Sequence, residues 1–258
     1  TPEAAYAQSS DLAARWHGRG RLRYAVTPRF SVSCSEPILE ACGAVLAERE
    51  GVLFTSHVNE SIEEQEVVRN LFPWAGDYLE TYERFGLVTE RSVFAHDVHP
   101  RDDELDRLAH AGAAVCHCPW SNTFIGSGLF PLRRHVERGV KLALGTDVGG
   151  GTGFGLLKEG LAAYGVQMLL EDGYELTPAH LLYLATAGGA RALGQPAVGT
   201  FEAGMEFDAV LLSAPREGVL SQVWEHSPSA RDTLSAAFTL AREESIAGVW
   251  VAGEKLLG

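Results

Sequence analysis

Long apolar runs are missing from this sequence. None approaches the roughly 18 residues that a membrane-spanning helix requires, so we expect no membrane span. Basic residues are also scarce: 21 Lys and Arg stand against 34 Asp and Glu, a formal net charge of −13 at pH 7. Proteins that bind nucleic acid or anionic membranes carry clustered Lys and Arg. We therefore expect neither nucleic acid nor membrane among the partners.

Cysteine is rare, and the sequence has no Cys-x-x-Cys pair of the kind found in many zinc and redox sites. The four cysteines are Cys34, Cys42, Cys116 and Cys118. We expect buried free thiols in a reducing compartment, the cytoplasm, and no secretory signal peptide. Residue 1 is Thr rather than Met, so we expect a trimmed chain or one that begins inside a longer protein.

Short apolar runs are present, and they alternate with stretches rich in Glu, Arg, Leu and Ala. We predict parallel strands at residues 22–30, 51–58, 91–96, 113–118 and 140–146. We predict amphipathic helices at residues 36–50, 60–71, 101–111 and 131–139. This alternation indicates an α/β protein with helices outside a parallel sheet. Hydrophobic residues make up 46% of the chain, enough for a sizeable core.

Polar residues cluster at the carboxyl ends of these apolar runs. They are Arg29, His57, His96, Asn122 and Asp147. In a (β/α)8 barrel, the strand ends and the loops that follow them form the active site. Unrelated core histidines would not share this position, so the pattern favours a barrel with an active site at this end.

Three of these side chains offer the ligands that Zn²⁺ or a similar divalent ion binds: the imidazoles of His57 and His96 and the carboxylate of Asp147. A catalytic metal lowers the pKa of a water, and a nearby carboxylate then moves protons. Glu60 follows His57 by three residues and could face the same water.

Each residue alone has an ordinary explanation. A lone histidine at a strand end is more often structural, and Asp147 could cap the next helix. Glu60 could be a solvent-facing acid in a first helical turn, as we expect of Glu63, Glu64 and Glu66. The remaining histidines are expected to be structural or exposed, with His99 the strongest exception; they are His99, His110, His117, His135, His180 and His226.

The last third of the chain departs from the strand and helix alternation. The Gly-rich stretch 149–157 lacks the GxxxxGK[ST] pattern, so it does not predict a phosphate loop. Residues 177–194 begin with Thr and Pro, which predicts a capped helix. Residues 198–215 and 246–258 have the pattern of β-hairpins, with loop and helix between them at 221–245.

Several segments resemble the amidohydrolase superfamily, and within it the guanine deaminases. They are "SHVNE", "FAHD", "CPWSN", "LALGTDVGGG", "ATAGGARALG" and "GTFEAGMEFDAVLL", joined by "YAVTPRF", "NLFPWAGDYLETYERFGL" and "SNTFIGSGLF". The resemblance covers nearly all of residues 20–258. It implies a (β/α)8 TIM-type barrel of the metal-dependent hydrolase kind, with residues 1–195 in the barrel and 196–258 in a small composite β domain.

The resemblance also implies roles for individual residues. His57 and Asp147 would bind zinc, with Fe²⁺ as the alternative metal, and His57 would also border the substrate. Glu60 would be the proton shuttle, and His96 would orient the hydrolytic water or the tetrahedral intermediate. Arg29 would hydrogen-bond a purine and Phe30 would stack on it. The implied reaction is hydrolysis of guanine to xanthine and ammonia, and we expect a homodimer.

One departure from the family is large. The family's first strand ends in His-x-His, and these 258 residues contain no such motif. The run 22–30 resembles the family's fourth strand, so we expect strands one to three, and half of the small β domain, to be missing from this chain. Two other hypotheses stay open: hydrolysis of another aminopurine or a triazine ring, and a non-catalytic fragment or scaffold that binds a purine or a partner subunit.

Overall fold

A computed structural model describes residues 1–257 of the chain. Two compact units make up the described residues, and each is presented by itself. The first comprises Thr1–His117 and Gly126–Leu142, and the second comprises Cys118–Ile125 and the residues from Ala143 onward. The domain boundary predicted between residues 195 and 196 stays a prediction.

A five-stranded sheet carries the chain's main architecture. Its strands are β1 Ala25–Val26, β2 Leu53–Val58, β3 Ser92–His96, β4 Ala114–His117 and β5 Lys141–Leu144. They lie in chain order, β1-β2-β3-β4-β5, and the pairs from β1 to β4 are parallel. The predicted α/β class with a parallel sheet is confirmed.

Helices follow most of the strands. They are α1 Pro2–Trp16, α2 Glu36–Glu48, α3 Ile62–Leu71, α4 Glu80–Glu83, α5 Asp102–Ala111, α6 Pro119–Phe124, α7 Leu132–Arg138, α8 Leu156–Leu169, α9 Pro178–Ala185, α10 Ala187–Ala192, α11 Val219–Glu225 and α12 Ala230–Leu240. Local chemistry sets several boundaries. The Ser61 hydroxyl accepts the Glu64 N–H at 3.1 Å and starts α3. Gly112 ends α5 in a left-handed conformation.

The two faces of the sheet differ in burial. On β2 the side chains of Phe54 and Val58 are fully buried, whereas Thr55 and His57 on the other face are partly exposed. The buried face packs against aromatic rings, with Phe54 and Phe94 at a centroid distance of 5.7 Å and Tyr82 5.3 Å from Phe94. This alternation directs His57 away from the apolar core.

The second unit contains a three-stranded sheet. Its strands are β6 Ala209–Leu212, β7 Ile246–Val251 and β8 Glu254–Leu257, paired antiparallel in the order β6-β7-β8. The β7–β8 pair is the hairpin predicted for residues 246–258, and residues 198–215 contribute β6. A small apolar cluster of Leu220, Ala236 and Ala241 packs α11 against α12, with Trp224 beside it.

Three sequence predictions need correction. The first strand spans only Ala25–Val26 instead of 22–30, because Pro28 offers no N–H to a ladder and Arg29 turns to a φ of 66°. The helix predicted over 177–194 breaks into α9 and α10 at Thr186. Asn122 lies within α6, not at a strand end. No helix among residues 1–257 is long and apolar enough to cross a membrane.

Candidate metal centre and active site

His57 is the next-to-last residue of β2, and its ring is fixed by the main chain beside it. Its Nδ1 donates to the carbonyl oxygen of Arg29 at 2.6 Å, and its own backbone N–H reaches the same oxygen at 2.9 Å. A carbonyl can only accept, so Nδ1 carries the proton and Nε2 keeps its lone pair. This tautomer presents Nε2 as a metal ligand.

His96 ends the neighbouring strand, β3, and lies beside His57. The register pairs His57 with Ala95 and Val58 with His96. The two imidazole centroids are 5.0 Å apart, and His96 is fully buried. Parallel pairing therefore brings two histidines distant in sequence to the same end of the sheet.

Glu60 is placed against His96. One oxygen of its carboxylate, Oε2, is 3.7 Å from His96 Nε2, and the other, Oε1, accepts the Ser127 hydroxyl at 3.2 Å. Only 17% of the Glu60 side chain is exposed. Helix α3 begins at Ile62 with Ser61 as its cap, so Glu60 precedes the helix and is not a solvent-facing acid of its first turn.

Glu64 also differs from expectation. Its Oε2 accepts the Glu60 N–H at 3.0 Å and its Oε1 accepts the Tyr78 hydroxyl at 2.5 Å. Burial is the main cause that raises the pKa of the Glu64 carboxyl. The prediction that Glu64 faces solvent is therefore wrong, because this side chain supports the main chain at Glu60.

The loop that carries Ser127 is tied to the same strand end by His99. The Nε2 of His99 donates to the Ser127 carbonyl oxygen at 2.6 Å. The His99 N–H in turn reaches the Asn59 carbonyl oxygen at 3.1 Å. Ser127 itself is buried. "SNTFIGSGLF" contains Ser127, but nothing in its spacing indicates that this hydroxyl meets Glu60.

In the second unit, Asp147 follows β5 and is held by a serine. The Ser121 hydroxyl donates to Asp147 Oδ2 at 2.6 Å. The next helix, α8, begins at Leu156 with Gly155 as its cap, so Asp147 is not a helix cap. The Gly-rich stretch after it folds back, and the N–H groups of Gly150 and Gly151 both reach the Asp147 carbonyl oxygen, at 3.0 and 2.5 Å.

His57 and His96, in the first unit, and Asp147, in the second, each offer one ligand atom of a kind that metal ions bind. Two imidazole nitrogens and a carboxylate oxygen suit Zn²⁺ and other first-row divalent ions. Of the three side chains that the sequence predicts for a metal, strand pairing within the first unit brings His57 and His96 together.

Arg29 and Phe30, the predicted substrate residues, adjoin His57. The Arg29 guanidinium lies 4.8 Å from the centre of the Phe30 ring, and the Phe30 ring is 6.1 Å from the His57 ring. Arg29 is exposed and Phe30 is partly exposed. An aromatic face and a guanidinium thus stand together next to the candidate metal ligands.

Behind the strand ends lies a buried polar network. Asp97 accepts from His135 Nε2 and from Asn59 Nδ2, both at 2.9 Å, and Asn59 also donates to Glu104 at 3.2 Å. All four side chains are buried. His135 is structural, as expected. Asp97 stands in the quoted "FAHD", but the sequence offers no sign that it pairs with a histidine 38 positions away.

His117, at the end of β4, is buried without a hydrogen-bond partner for either ring nitrogen among the described residues. It stacks on Phe130 at a centroid distance of 4.2 Å, and Phe130 stacks on His135 at 4.3 Å. Burial, with the neighbouring His135 and His96, lowers the pKa of His117 to about 3. The ring is neutral at physiological pH. None of the four cysteines forms a disulfide; Cys118 is buried, as expected, whereas the other three are partly exposed.

The residues around this site match a known family. The model of the amidohydrolase family matches residues 1–256. The chain belongs to the amidohydrolase family.

Within this family, the chain is similar to several guanine deaminases. A probable guanine deaminase from Deinococcus radiodurans is 59% identical over 255 residues, which are 98% of this chain and 58% of that protein. The solved structure of Escherichia coli guanine deaminase superimposes with a TM-score of 0.95 at 36% identity, covering 99% of this chain and 60% of that one. Guanine deaminase from Bradyrhizobium japonicum gives a TM-score of 0.91 at 35% identity, covering 99% and 61%. The chain thus spans about three-fifths of the length of these amidohydrolases.

Proposed function

We propose that this chain forms part of a zinc-dependent guanine deaminase, which hydrolyses guanine to xanthine and ammonia. The observation that carries the proposal is the pair of neighbouring histidines, His57 and His96, with Glu60 beside His96, in a chain 59% identical to a probable guanine deaminase. The imidazoles of His57 and His96 and the carboxylate of Asp147 also support the proposal, because hydrolytic metal sites use ligands of these kinds.

The proposal includes an architecture. The five strands would belong to a (β/α)8 barrel, with residues 1–195 in the barrel and 196–258 in a small β domain. The remaining strands would correspond to the part of the relatives that this chain does not match. In such a barrel, the strand ends that carry His57 and His96 border the active site. The homodimer and the cytoplasmic location stay predictions.

His57 and Asp147 would hold Zn²⁺, or Fe²⁺ as the alternative. The fit rests on the tautomer of His57, whose Nδ1 donates to Arg29 and leaves Nε2 available. Asp147 fits as well, because a carboxylate is a common zinc ligand and the Ser121 hydroxyl donates to its Oδ2 and orients it. When bound, such an ion supplies the Lewis acidity that lowers the pKa of water toward neutrality.

Glu60 would move the protons. The Ser127 hydroxyl holds Oε1, and Oε2 points toward His96. In this position the carboxylate can take a proton from the attacking water and deliver it to the ring nitrogen. The hydroxyl added to the ring carbon then gives up its proton, which the carboxylate passes to the amino group. The carbon–nitrogen bond breaks, ammonia leaves, and the added oxygen becomes the new carbonyl of xanthine. His96 would orient the water or the tetrahedral intermediate beside it.

Arg29 and Phe30 would select the base. Guanine presents a carbonyl oxygen and a ring nitrogen to a guanidinium, whereas adenine has an amino donor where guanine has the carbonyl. With adenine, the N–H groups of Arg29 would meet an amino group that also donates. A buried donor left without an acceptor costs about 1–3 kcal/mol. The base would stack on the Phe30 ring, against which the Arg29 guanidinium already lies.

The test measures ammonia release by the full-length protein, supplied with Zn²⁺, from guanine, adenine, 8-oxoguanine and a chlorotriazine. We expect guanine to react fastest, and to exceed adenine by at least about tenfold. Arg29→Ala should lower kcat/KM for guanine and narrow the gap to adenine. Arg23→Ala is the matched control, because among the described residues the guanidinium of this exposed arginine donates to the nearby carbonyls of Gly20 and Leu22.

Two results would contradict the proposal. A faster reaction with adenine, 8-oxoguanine or the triazine would assign the same site to another ring substrate. No reaction with any of the four would favour a non-catalytic role.

A further inference from the structure

Beneath the candidate metal centre, two buried hydroxyls bind the main chain that holds His57. We propose that Ser56 and Tyr82 are positioning residues: together they fix the Arg29 carbonyl, and through it the His57 ring, in the orientation that binds a divalent metal ion. The inference rests on the proposed function only for its catalytic consequence, because metal binding can be measured without a substrate.

The Arg29 carbonyl oxygen is the centre of this arrangement. It receives the His57 N–H at 2.9 Å, His57 Nδ1 at 2.6 Å and the Ser56 hydroxyl at 3.0 Å. Three donors therefore share the two lone pairs of the Arg29 carbonyl oxygen. Arg29 has a φ of 66°, a conformation that costs a residue with a side chain about 1–2 kcal/mol. Its position therefore depends on these bonds.

Tyr82 hydrogen-bonds main-chain groups on both sides of this contact. Its hydroxyl accepts the Ser31 N–H at 2.9 Å, donates to the His57 carbonyl oxygen at 2.8 Å and lies 2.9 Å from the Ser56 hydroxyl. The side chain is fully buried, and burial raises the pKa of Tyr82. The hydroxyl thus stays protonated and remains a donor at physiological pH.

His57 is consequently held at three atoms. Its N–H and Nδ1 bind the Arg29 carbonyl, and its own carbonyl binds Tyr82. Ser56 connects the two sides, since its hydroxyl contacts both the Arg29 carbonyl and the Tyr82 hydroxyl. Removing the Ser56 hydroxyl takes a donor from the Arg29 carbonyl, and removing the Tyr82 hydroxyl releases the His57 carbonyl and the contact that holds Ser56. Residues that orient a metal-binding histidine in this way typically affect metal affinity by about 10–100-fold.

The experiment compares Ser56→Ala and Tyr82→Phe with Ser92→Ala in the full-length protein. Ser92 is the matched control: it is a fully buried strand serine whose hydroxyl donates to the Leu87 carbonyl at 2.8 Å, at the opposite end of β3 from His96. The primary measurement is Zn²⁺ affinity by competition with a chromophoric chelator, with no purine present. Thermal unfolding of the metal-free proteins is measured alongside.

We expect Ser56→Ala and Tyr82→Phe to weaken Zn²⁺ binding by about 10–100-fold. Ser92→Ala should bind Zn²⁺ as the wild type does, although its Tm falls to a similar extent. Equal Zn²⁺ affinity in all proteins, or equal weakening in Ser92→Ala, would overturn the inference. If Tyr82→Phe does not fold, Ser56→Ala decides by itself. Should the wild type fail to act on guanine, the Zn²⁺ result still judges this inference separately from the proposed function.

Discussion

At the scale of single residues, the ends of the parallel strands concentrate unusual backbone conformations. Five residues that carry side chains have positive φ there: Arg29 (66°), Asn59 (50°), His96 (74°), Asp97 (47°) and Asp147 (45°). Each costs about 1–2 kcal/mol relative to the right-handed conformation. Polar bonds offset that cost, as when Asp97 binds both His135 and Asn59. Such strained positions cluster at functional sites, where side chains must be aimed.

Glu60 provides the first test at this scale. Glu60→Gln keeps the shape of the side chain and removes its titratable proton. We expect kcat for guanine to fall by roughly 10²–10⁴-fold, as for a lost general acid and base. KM should change little, because the group acts on the reacting atoms. Steady-state kinetics of the full-length protein measure both, and elemental analysis should find the metal retained.

The control is Glu63→Gln, which removes an exposed carboxylate from the first turn of α3. It should leave kcat unchanged. If Glu60→Gln kept most of the activity, Glu60 would have no part in proton transfer. If Glu60→Gln lost its metal, the side chain would be a ligand instead.

The polar residues of the site could be picked from the sequence, but their partners could not. The sequence predicts His57, His96 and Asp147 as candidates because each ends an apolar run, and the carboxyl ends of barrel strands carry active-site residues. Tyr82, Ser56 and Ser127 act through hydrogen bonds between positions 25 to 67 residues apart. Local sequence periodicity indicates helices and strands, but it cannot predict hydrogen bonds between residues so far apart in the chain.

At the scale of elements, helices and strands were predicted best where the chemistry of their ends is local. Helix α5 begins within one residue of its prediction and ends at Gly112, and α3 lost only two residues at its start. The strand β1 was overestimated, because its end depends on the left-handed turn at Arg29. The glycines after β5 predict a loop there, but they do not predict how its backbone folds back on Asp147.

That loop depends on a close approach of two backbone segments. A Cβ on Gly151 would lie 1.8 Å from the Thr146 carbonyl oxygen, so Gly151→Ala must shift the chain next to Asp147. Displacing a site residue by about 1 Å can cost on the order of 10²-fold in rate. We expect Gly151→Ala to lower kcat/KM for guanine by that order and to weaken Zn²⁺ binding. Both are measured on the full-length protein.

Gly153→Ala is the matched control in the same loop. A Cβ there meets no atom within 4 Å, and its φ is not in the positive range. Its kinetics should equal those of the wild type. Should Gly151→Ala also behave as wild type, the close approach would have no bearing on Asp147.

At the scale of the whole molecule, buried ionisable groups couple stability to pH in opposite directions. Glu104 accepts N–H groups from Leu79 and Arg101, at 3.2 and 2.8 Å, yet burial raises its pKa to about 7. His117 is buried without a hydrogen-bond partner among the described residues, and its pKa falls to about 3. Composition and spacing cannot reveal either shift, since both follow from burial that only the folded chain defines.

The signs of the two effects follow from proton binding. Between pH 4.5 and about 7 the folded protein keeps the Glu104 proton that the unfolded chain releases, so stability falls as pH rises through this window. Between pH 6.5 and about 3 the unfolded chain binds a proton that His117 cannot take when folded, so stability falls as pH drops. Each group contributes a slope of up to about 1.4 kcal/mol per pH unit. Where the windows overlap, the two slopes oppose each other.

Two variants separate these contributions. Glu104→Gln should remove a loss of stability between pH 5 and 7, and His117→Phe should remove a loss between pH 6 and 4. The measurement is the free energy of unfolding in urea at half-unit pH steps for the full-length protein and both variants. Glu137→Gln is the control for Glu104, because this exposed carboxylate pairs with Arg133 one helical turn away at the surface. Parallel pH profiles for wild type and His117→Phe would mean that the His117 ring is solvated in the folded protein. Parallel profiles for wild type and Glu104→Gln would mean that Glu104 stays ionised in its buried cap.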